Sequence, residues 1–258
     1  MTLDAPVRGG DQLATSDDTL LGGRVKLRQP VDGYRVAIDP VILAAAVPAH
    51  ADDRVLDIGC GTGAATLCLA ARVEGCRIIG LERDPALAQL ARGNIARNDF
   101  AERLSVVEGD LLHPPASLVP GSFTQVMANP PFLEAARASV SPIAARASAA
   151  VESEAQLADW IDLALAMLRD RATLTLIHRA DRLGDVLAAL SGRAGGIVVF
   201  PLWPGEGKAA KRLLVQAKKS SAAPLTLAHG LVLHRADGRN SEAAEAILRH
   251  GAALSLVS

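Results

Sequence analysis

Arg54-Val55-Leu56-Asp57-Ile58-Gly59-Cys60-Gly61-Thr62-Gly63 decides the fold. Its first five residues read as a short buried strand, and the glycines that follow stop it. A helical pattern then runs from Gly63 to Arg72, so the segment is strand, tight turn and helix. Working outward, Arg77–Leu81 reads as a second strand. Asp84 is placed to cap a helix whose first position is Pro85, where a missing N–H is harmless, and that helix runs to about Arg97. Leu104–Glu108 and Phe123–Ala128 are further strands. Ser153-Glu154-Ala155-Gln156 has the form of a capping box. Leu157, Trp160, Ile161, Ala164 and Leu168 follow it as one apolar stripe. Thr173–Ile177 is a strand and Asp181–Leu190 a helix. Gly196–Phe200 and Arg212–Ala217 are joined by a loop too short for a helix, hence an antiparallel hairpin. A helix is expected from Ser241 to Arg249.

Strands alternating with helices demand an α/β fold with a doubly wound, mostly parallel, Rossmann-like sheet. Seven strands are expected, one of them antiparallel and contributed at the edge by the last hairpin. Residues 1–22 read as a flexible lead-in, 23–219 as the main domain, and 220–258 as a short extension packed on it. There are 258 residues, half of them hydrophobic, with 27 Lys+Arg against 28 Asp+Glu. That near neutrality with high hydrophobicity excludes a disordered chain and removes any global electrostatic argument for nucleic acid. Three cysteines without a CxxC pair argue against a disulfide scaffold or a zinc ribbon. The polar first two dozen residues show no secretion signal, and the longest apolar run, Val41–Val47, is far short of a membrane span. The expectation is a soluble, cytoplasmic protein with no membrane association. Its state as monomer or homodimer is left open.

The glycines let the backbone turn tightly and approach a ligand while the helix behind them presents unpaired N–H groups. Glu82 ends the second strand, 23 positions after Gly59, where a carboxylate can accept both ribose hydroxyls of an adenosine. The loop also fits G-x-G-x-x-A, so taken alone it admits both NAD and S-adenosylmethionine (SAM). Three features favour SAM. Asp57 offers a carboxylate suited to an amino-acid moiety but not to a pyrophosphate. Asp110 follows the third strand, placed to accept from the adenine amine. The fourth strand ends in Asn129-Pro130-Pro131-Phe132.

Two consecutive prolines remove two backbone donors and stiffen the chain, leaving the Asn129 side chain and the Pro130 carbonyl as projecting acceptors. Acceptors suit a substrate –NH2. An amine conjugated to a ring is a poor nucleophile, and two hydrogen bonds from its protons aim the lone pair and favour the positive charge that develops on it. Phe132 is then placed to stack on a base, a contact worth roughly 1–3 kcal/mol in single-strand binders.

These residues resemble a class I SAM-dependent methyltransferase of the amino-methylating kind. More closely the chain resembles the bacterial valine-tRNA adenine-N6 methyltransferases, from about Leu20 to Lys219. The likeness includes Leu21-Gly22-Gly23-Arg24-Val25 and the upstream element from Gly33 to Leu43. The resemblance implies a SAM cofactor with Tyr34 and Asp39 at it, Gly59, Gly61 and Gly63 around its methionine and ribose, Glu82 on the ribose, and Asp110 with the Leu111 backbone at the adenine. It also implies that Asn129, Pro130, Pro131 and Phe132 hold the target amine, expected to be adenine N6 of a tRNA or other RNA. Where the family often reads Thr-Asp, this chain has Ile38-Asp39, and residues 220–258 have no obvious counterpart.

Arg137 and Arg146 flank an Ala/Ser-rich stretch suited to closing over a substrate backbone. Lys208, Lys211 and Arg212, with Lys218 and Lys219 beyond the strand, are candidate phosphate contacts. The six histidines show no ligand spacing, so no metal is expected; His178, at a strand end, reads as a satisfied core histidine, and Cys60 as packing. Rival readings are methylation of guanine N2 in ribosomal RNA or of a protein glutamine amide, a SAM- or nucleotide-binding module without chemistry, and an NAD-dependent oxidoreductase.

Overall fold

A computed structural model describes residues 14–32, 35–131, 133–134, 151–152 and 155–257. Tyr34, Phe132, Arg137, Arg146 and the Ser153 of the expected capping box lie outside the described residues. Strands β1 (Thr15–Leu20) and β2 (Val25–Pro30) form an antiparallel hairpin. Helix α1 (Asp39–Ala46) follows, then β3 (Arg54–Ile58), α2 (Ala64–Arg72), β4 (Arg77–Glu82), α3 (Pro85–Arg97), β5 (Leu104–Glu108) and β6 (Phe123–Ala128). A two-residue parallel pair, β7 (Leu133–Glu134) and β8 (Val151–Glu152), precedes α4 (Leu157–Met167). The chain continues as β9 (Leu168–Arg179), α5 (Leu183–Leu190), β10 (Ala194–Gly205), β11 (Arg212–Lys219), β12 (Thr226–Leu227), β13 (Leu231–His234) and α6 (Glu242–His250).

The central sheet runs β10-β11-β9-β6-β3-β4-β5, the seven expected strands, and β12 and β13 add to the free side of β10. Only β11 opposes its neighbours. The expected antiparallel edge is therefore corrected in place: β11 is inserted between β9 and β10, where both its faces and both its ladders are buried. Alternate strand residues feed two cores. Val55, Ile78, Met127 and Leu214 face α1, α2 and α6, whereas Leu56, Leu81, Val126 and Val215 face α4 and α5. Among the described residues no helix is long and apolar enough to cross a membrane.

Two further expectations need correction. Residues 15–22 are not a free lead-in, because β1 pairs along its whole length with β2 and is pinned by Asp17 to Arg28 and Arg97. The helix expected after Ser153 starts at Leu157 with Gln156 as its N-cap, whose N–H donates to Asp159 at 2.7 Å, so the cap falls three residues later than the Ser-x-x-Gln reading places it. The Asp84 cap forms as expected, accepting from the N–H groups of Ala86 (2.8 Å) and Leu87 (3.3 Å).

Candidate active site

Register brings the carboxyl ends of four strands into line. Ile58 pairs with both Leu81 and Ala128, and Glu82 pairs with Glu108, so the segments after β3, β4, β5 and β6 open on one edge of the sheet. This is where open α/β sheets bind ligands. Gly59, Gly61 and Gly63 all have positive φ, at 68°, 56° and 86°. Gly59 is also closely covered: a Cβ there would lie 2.4 Å from the Trp160 ring. At Gly61 a Cβ would meet nothing within 4 Å, so the turn opens there. Gly63 precedes α2 without a side-chain cap of its own, and the buried Asp57 carboxylate lies against the Thr66 hydroxyl and N–H in the first turn of that helix.

Glu82 is almost buried, and its two carboxylate oxygens accept from the N–H groups of Gly61 (2.8 Å) and Asp84 (2.9 Å). These bonds fix its plane and leave further lone pairs for a diol. Burial, the largest influence, raises its pKa. Asp57 is buried and accepts from the Thr66 hydroxyl at 2.7 Å; burial pushes its pKa up to about 7, against the opposing pull of that hydrogen bond. It therefore lies beneath the loop, anchored to α2, rather than as an open carboxylate. Asp110 has one oxygen in a turn to the Leu112 N–H at 2.9 Å and the other 3.8 Å from the Arg83 guanidinium; Leu111 packs partly on the core.

Asn129 follows β6, and its side-chain oxygen is buried with no hydrogen-bond partner among the described residues. A buried acceptor left without a donor is costly, roughly 1–3 kcal/mol, and a donor arriving with a ligand removes that penalty. Pro130 is buried and Pro131 half-buried behind it. The diol-ready carboxylate, the open glycine turn and the orphaned acceptor together fit SAM with an amine beside it.

Because β11 runs backwards, residues 206–212 reach this same edge. Lys208 and Lys211 are exposed there, while Arg212 is held by Asp39 at 3.1 Å. A carboxylate expected at the cofactor and a cation expected at phosphate thus meet each other. Lys218 and Lys219 lie at the far end of β11, roughly 20 Å away by strand rise, and Lys219 caps the Leu168 carbonyl; they do not join the cluster. Among the described residues no group of three or more His, Cys, Asp and Glu is gathered to hold a metal.

Sequence reasoning missed three supports of the site. Trp160 covers Gly59. Gly80 makes room for Cys60, since a Cβ there would lie 2.6 Å from the Cys60 sulfur. Asn94, fully buried on α3, donates to the Thr62 carbonyl of the glycine turn (2.9 Å) and exchanges hydrogen bonds with both backbone groups of Arg28. An asparagine on the apolar face of a helix was its one visible sign.

The methyltransferase small-domain model matches residues 36–178. A Porphyromonas gingivalis protein named tRNA1(Val) (adenine(37)-N6)-methyltransferase is 32% identical over 79% of this chain and 83% of its own length. Proteins of the same name from Yersinia pestis are 38% identical over 38% of this chain and 40% of theirs. The crystal structure of a predicted O-methyltransferase, Atu636 of Agrobacterium tumefaciens, superposes with a TM-score of 0.70 at 28% identity, covering 84% of this chain and 98% of that one. Pyrococcus horikoshii TYW2, solved with MeSAdo, shares the fold at a TM-score of 0.54 and 14% identity. A fold, an edge and a glycine turn of this kind, with these relatives, leave one assignment: the chain belongs to the methyltransferase small-domain family and is a SAM-dependent methyltransferase.

Proposed function

We propose that this enzyme methylates the exocyclic N6 of an adenine in a tRNA, in the cytoplasm. The observation that carries the reading is the Asn129 side-chain oxygen, buried at the carboxyl end of β6 without a partner among the described residues. Together with the Pro130 carbonyl it forms an acceptor-only site, which matches the two protons of an aromatic amine. As those protons are held, the nitrogen lone pair is aimed at the methyl and the charge gained in transfer is favoured before a proton leaves to water. The cofactor supplies the activated methyl as a sulfonium. On this reading Gly59, Gly61 and Gly63 surround its methionine and ribose, Glu82 takes the ribose hydroxyls, and Asp110 with the Leu111 backbone takes the adenine. Phe132 and Pro131 flank the target base.

An anticodon-loop base is cheaper to extrude into such a site than a paired one, and the name of the P. gingivalis relative points to that region. The exposed Lys208 and Lys211 are suited to phosphates beside the site, with Arg212 held between them and Asp39; Arg137 and Arg146 complete the proposed RNA contacts. Methylation of a hydroxyl, the activity that the name of the Agrobacterium neighbour gives to that protein, fits less well: an alcohol must lose its proton during attack, and an amide oxygen cannot accept one. The test is incubation with labelled SAM and bulk tRNA from a strain lacking the enzyme, then digestion to nucleosides. N6-methyladenosine is expected. Label on guanine N2, on a ribose oxygen or only on added protein would overturn the reading.

A further inference from the structure

We infer that a cleft at the amino-terminal edge of the sheet is a second binding site, for a small organic phosphate of nucleotide size, with Arg169, Arg171 and Lys218 as its phosphate contacts. The cleft has a volume of about 830 Å³. It lies at the opposite ends of the strands from the methyl-transfer edge, roughly 20 Å away along a strand of the length of β6. Asp53 before β3, Gln125 with its ladder partner Thr173, and Lys218 near the end of the reversed β11 mark that edge. Residues 45–49, at and after the end of α1, and 253–257, in the C-terminal extension, give it a mainly apolar lining. The Leu254 N–H donates to the Ala45 carbonyl at 2.9 Å and ties these two segments together. The site owes nothing to the choice of methyl acceptor.

An irregular piece of backbone puts the cations there. Phe123 pairs with Leu168 and Gln125 with Thr173, so residues 169–172 of β9 stand opposite Thr124 alone. A bulge of this kind interrupts the ladder and re-aims side chains. Arg171 sits within it at φ 67°, a left-handed conformation that disfavours any residue with a Cβ. The Ser220 hydroxyl donates to Asp170 at 2.8 Å, which engages the one carboxylate of the bulge. Asp53, the other acid of the lining, accepts from the His50 N–H at 2.8 Å. Arg169, Arg171 and Lys218 are exposed and carry no ion pair or side-chain hydrogen bond among the described residues. With the half-buried Arg72, four Arg and Lys side chains line the cleft against two engaged carboxylates, so its potential is positive.

A bare phosphate would fill only a small part of this volume. Apolar clefts with a few fixed polar groups suit a ligand with a body. Gln125, only 8% exposed, lines the cleft with a side-chain oxygen that has no partner among the described residues, an acceptor for a hydroxyl or N–H on that body. A nucleoside phosphate carries all three parts: anion, ring and donor.

The test is calorimetry with ADP and with inorganic pyrophosphate as probes, on protein saturated with S-adenosylhomocysteine so that the adenosine-binding part of the methyl-transfer site is filled. ADP is expected to bind, and pyrophosphate more weakly because it leaves the apolar lining uncovered. Arg171→Gly should weaken ADP roughly 10–100-fold, as loss of a charge-assisted hydrogen bond does. SAM affinity should stay unchanged and thermal stability be kept or raised, since glycine relieves the left-handed φ. Should that variant unfold, the exposed Arg169→Gln and Lys218→Gln carry the same comparison. No heat from either probe at millimolar concentration, equal ADP affinity in wild type and variants, or pyrophosphate binding as tightly as ADP would overturn the assignment. So would a loss of bulk tRNA binding in these variants with ADP binding intact, which would give the surface to RNA.

Discussion

At the scale of single residues, the site depends on what Asn129 cannot do as much as on what it can. Its amide oxygen accepts hydrogen bonds but takes no proton, so in the proposed reaction it contributes orientation and electrostatic preorganisation. Asn129→Ala should therefore lower kcat on the order of 10²–10³-fold, in line with the removal of a fixed polar group from a reacting centre, while SAM affinity by calorimetry stays near wild type. A parallel loss of SAM binding would show that the residue holds the cofactor instead. The positions of the asparagine, the prolines and Glu82 at strand ends were legible because motif and strand end coincide locally. The Asp39–Arg212 pair was not, since the partners are 173 positions apart and meet only when β11 is inserted in the sheet. In the sequence Trp160 is one member of an apolar stripe, and nothing local to it says that the stripe ends on Gly59.

Elements were easier to read than their neighbours in space. The bounds of β3, β5 and β6 agree with the sequence reading because glycines, prolines and turns punctuate them. Helix α4 was misplaced by a turn because Ser153 and Gln156 both satisfy a capping pattern, and local chemistry cannot choose between frames three residues apart. Packing between elements carries two predictions. Gly80→Ala would place a methyl 2.6 Å from the Cys60 sulfur, and such overpacking typically costs about 1–3 kcal/mol. Adding Cys60→Ala should recover part of that loss, which urea unfolding of the two variants and their combination would reveal; strictly additive losses would contradict the contact. Asn94→Ala removes the link between α3, β2 and the Thr62 carbonyl. With buried backbone groups left unpaired, a loss of about 2–4 kcal/mol is expected, together with weaker SAM binding as the glycine turn loosens.

For the whole molecule, two buried titrating groups oppose each other. His178 is held down to about 4 in the folded chain, so the unfolded chain binds a proton that the native one refuses, and stability is lost as pH falls from 6.5 toward 4. Asp57 is pushed up to about 7, so the native chain binds a proton that the unfolded one has released, and stability falls as pH rises from about 4 to 7. Each slope is about 1.4 kcal/mol per pH unit, of opposite sign, and the raised Glu82 adds to the Asp57 direction. Across pH 4.5–6.5 the two contributions nearly cancel. Asp57→Asn should leave stability rising with pH, and His178→Gln should leave it falling; denaturant unfolding at three pH values would show whether the slopes separate. The C-terminal residues were the least legible region, because their apolar face has meaning only against α1 and β10, neither of which is near in sequence. Ile247 is buried there, and the Leu254 N–H donates to the Ala45 carbonyl at 2.9 Å.

The reversed direction of β11 has a consequence for how such an enzyme can change its target. Its preceding turn is delivered to the mouth of the site by a scaffold that owes nothing to that turn's own composition. On the proposed function, lengthening or recharging residues 206–211 would retune which nucleic acid is admitted, while the proposed methyl-transfer residues at the ends of β3, β4 and β6 are left as they are.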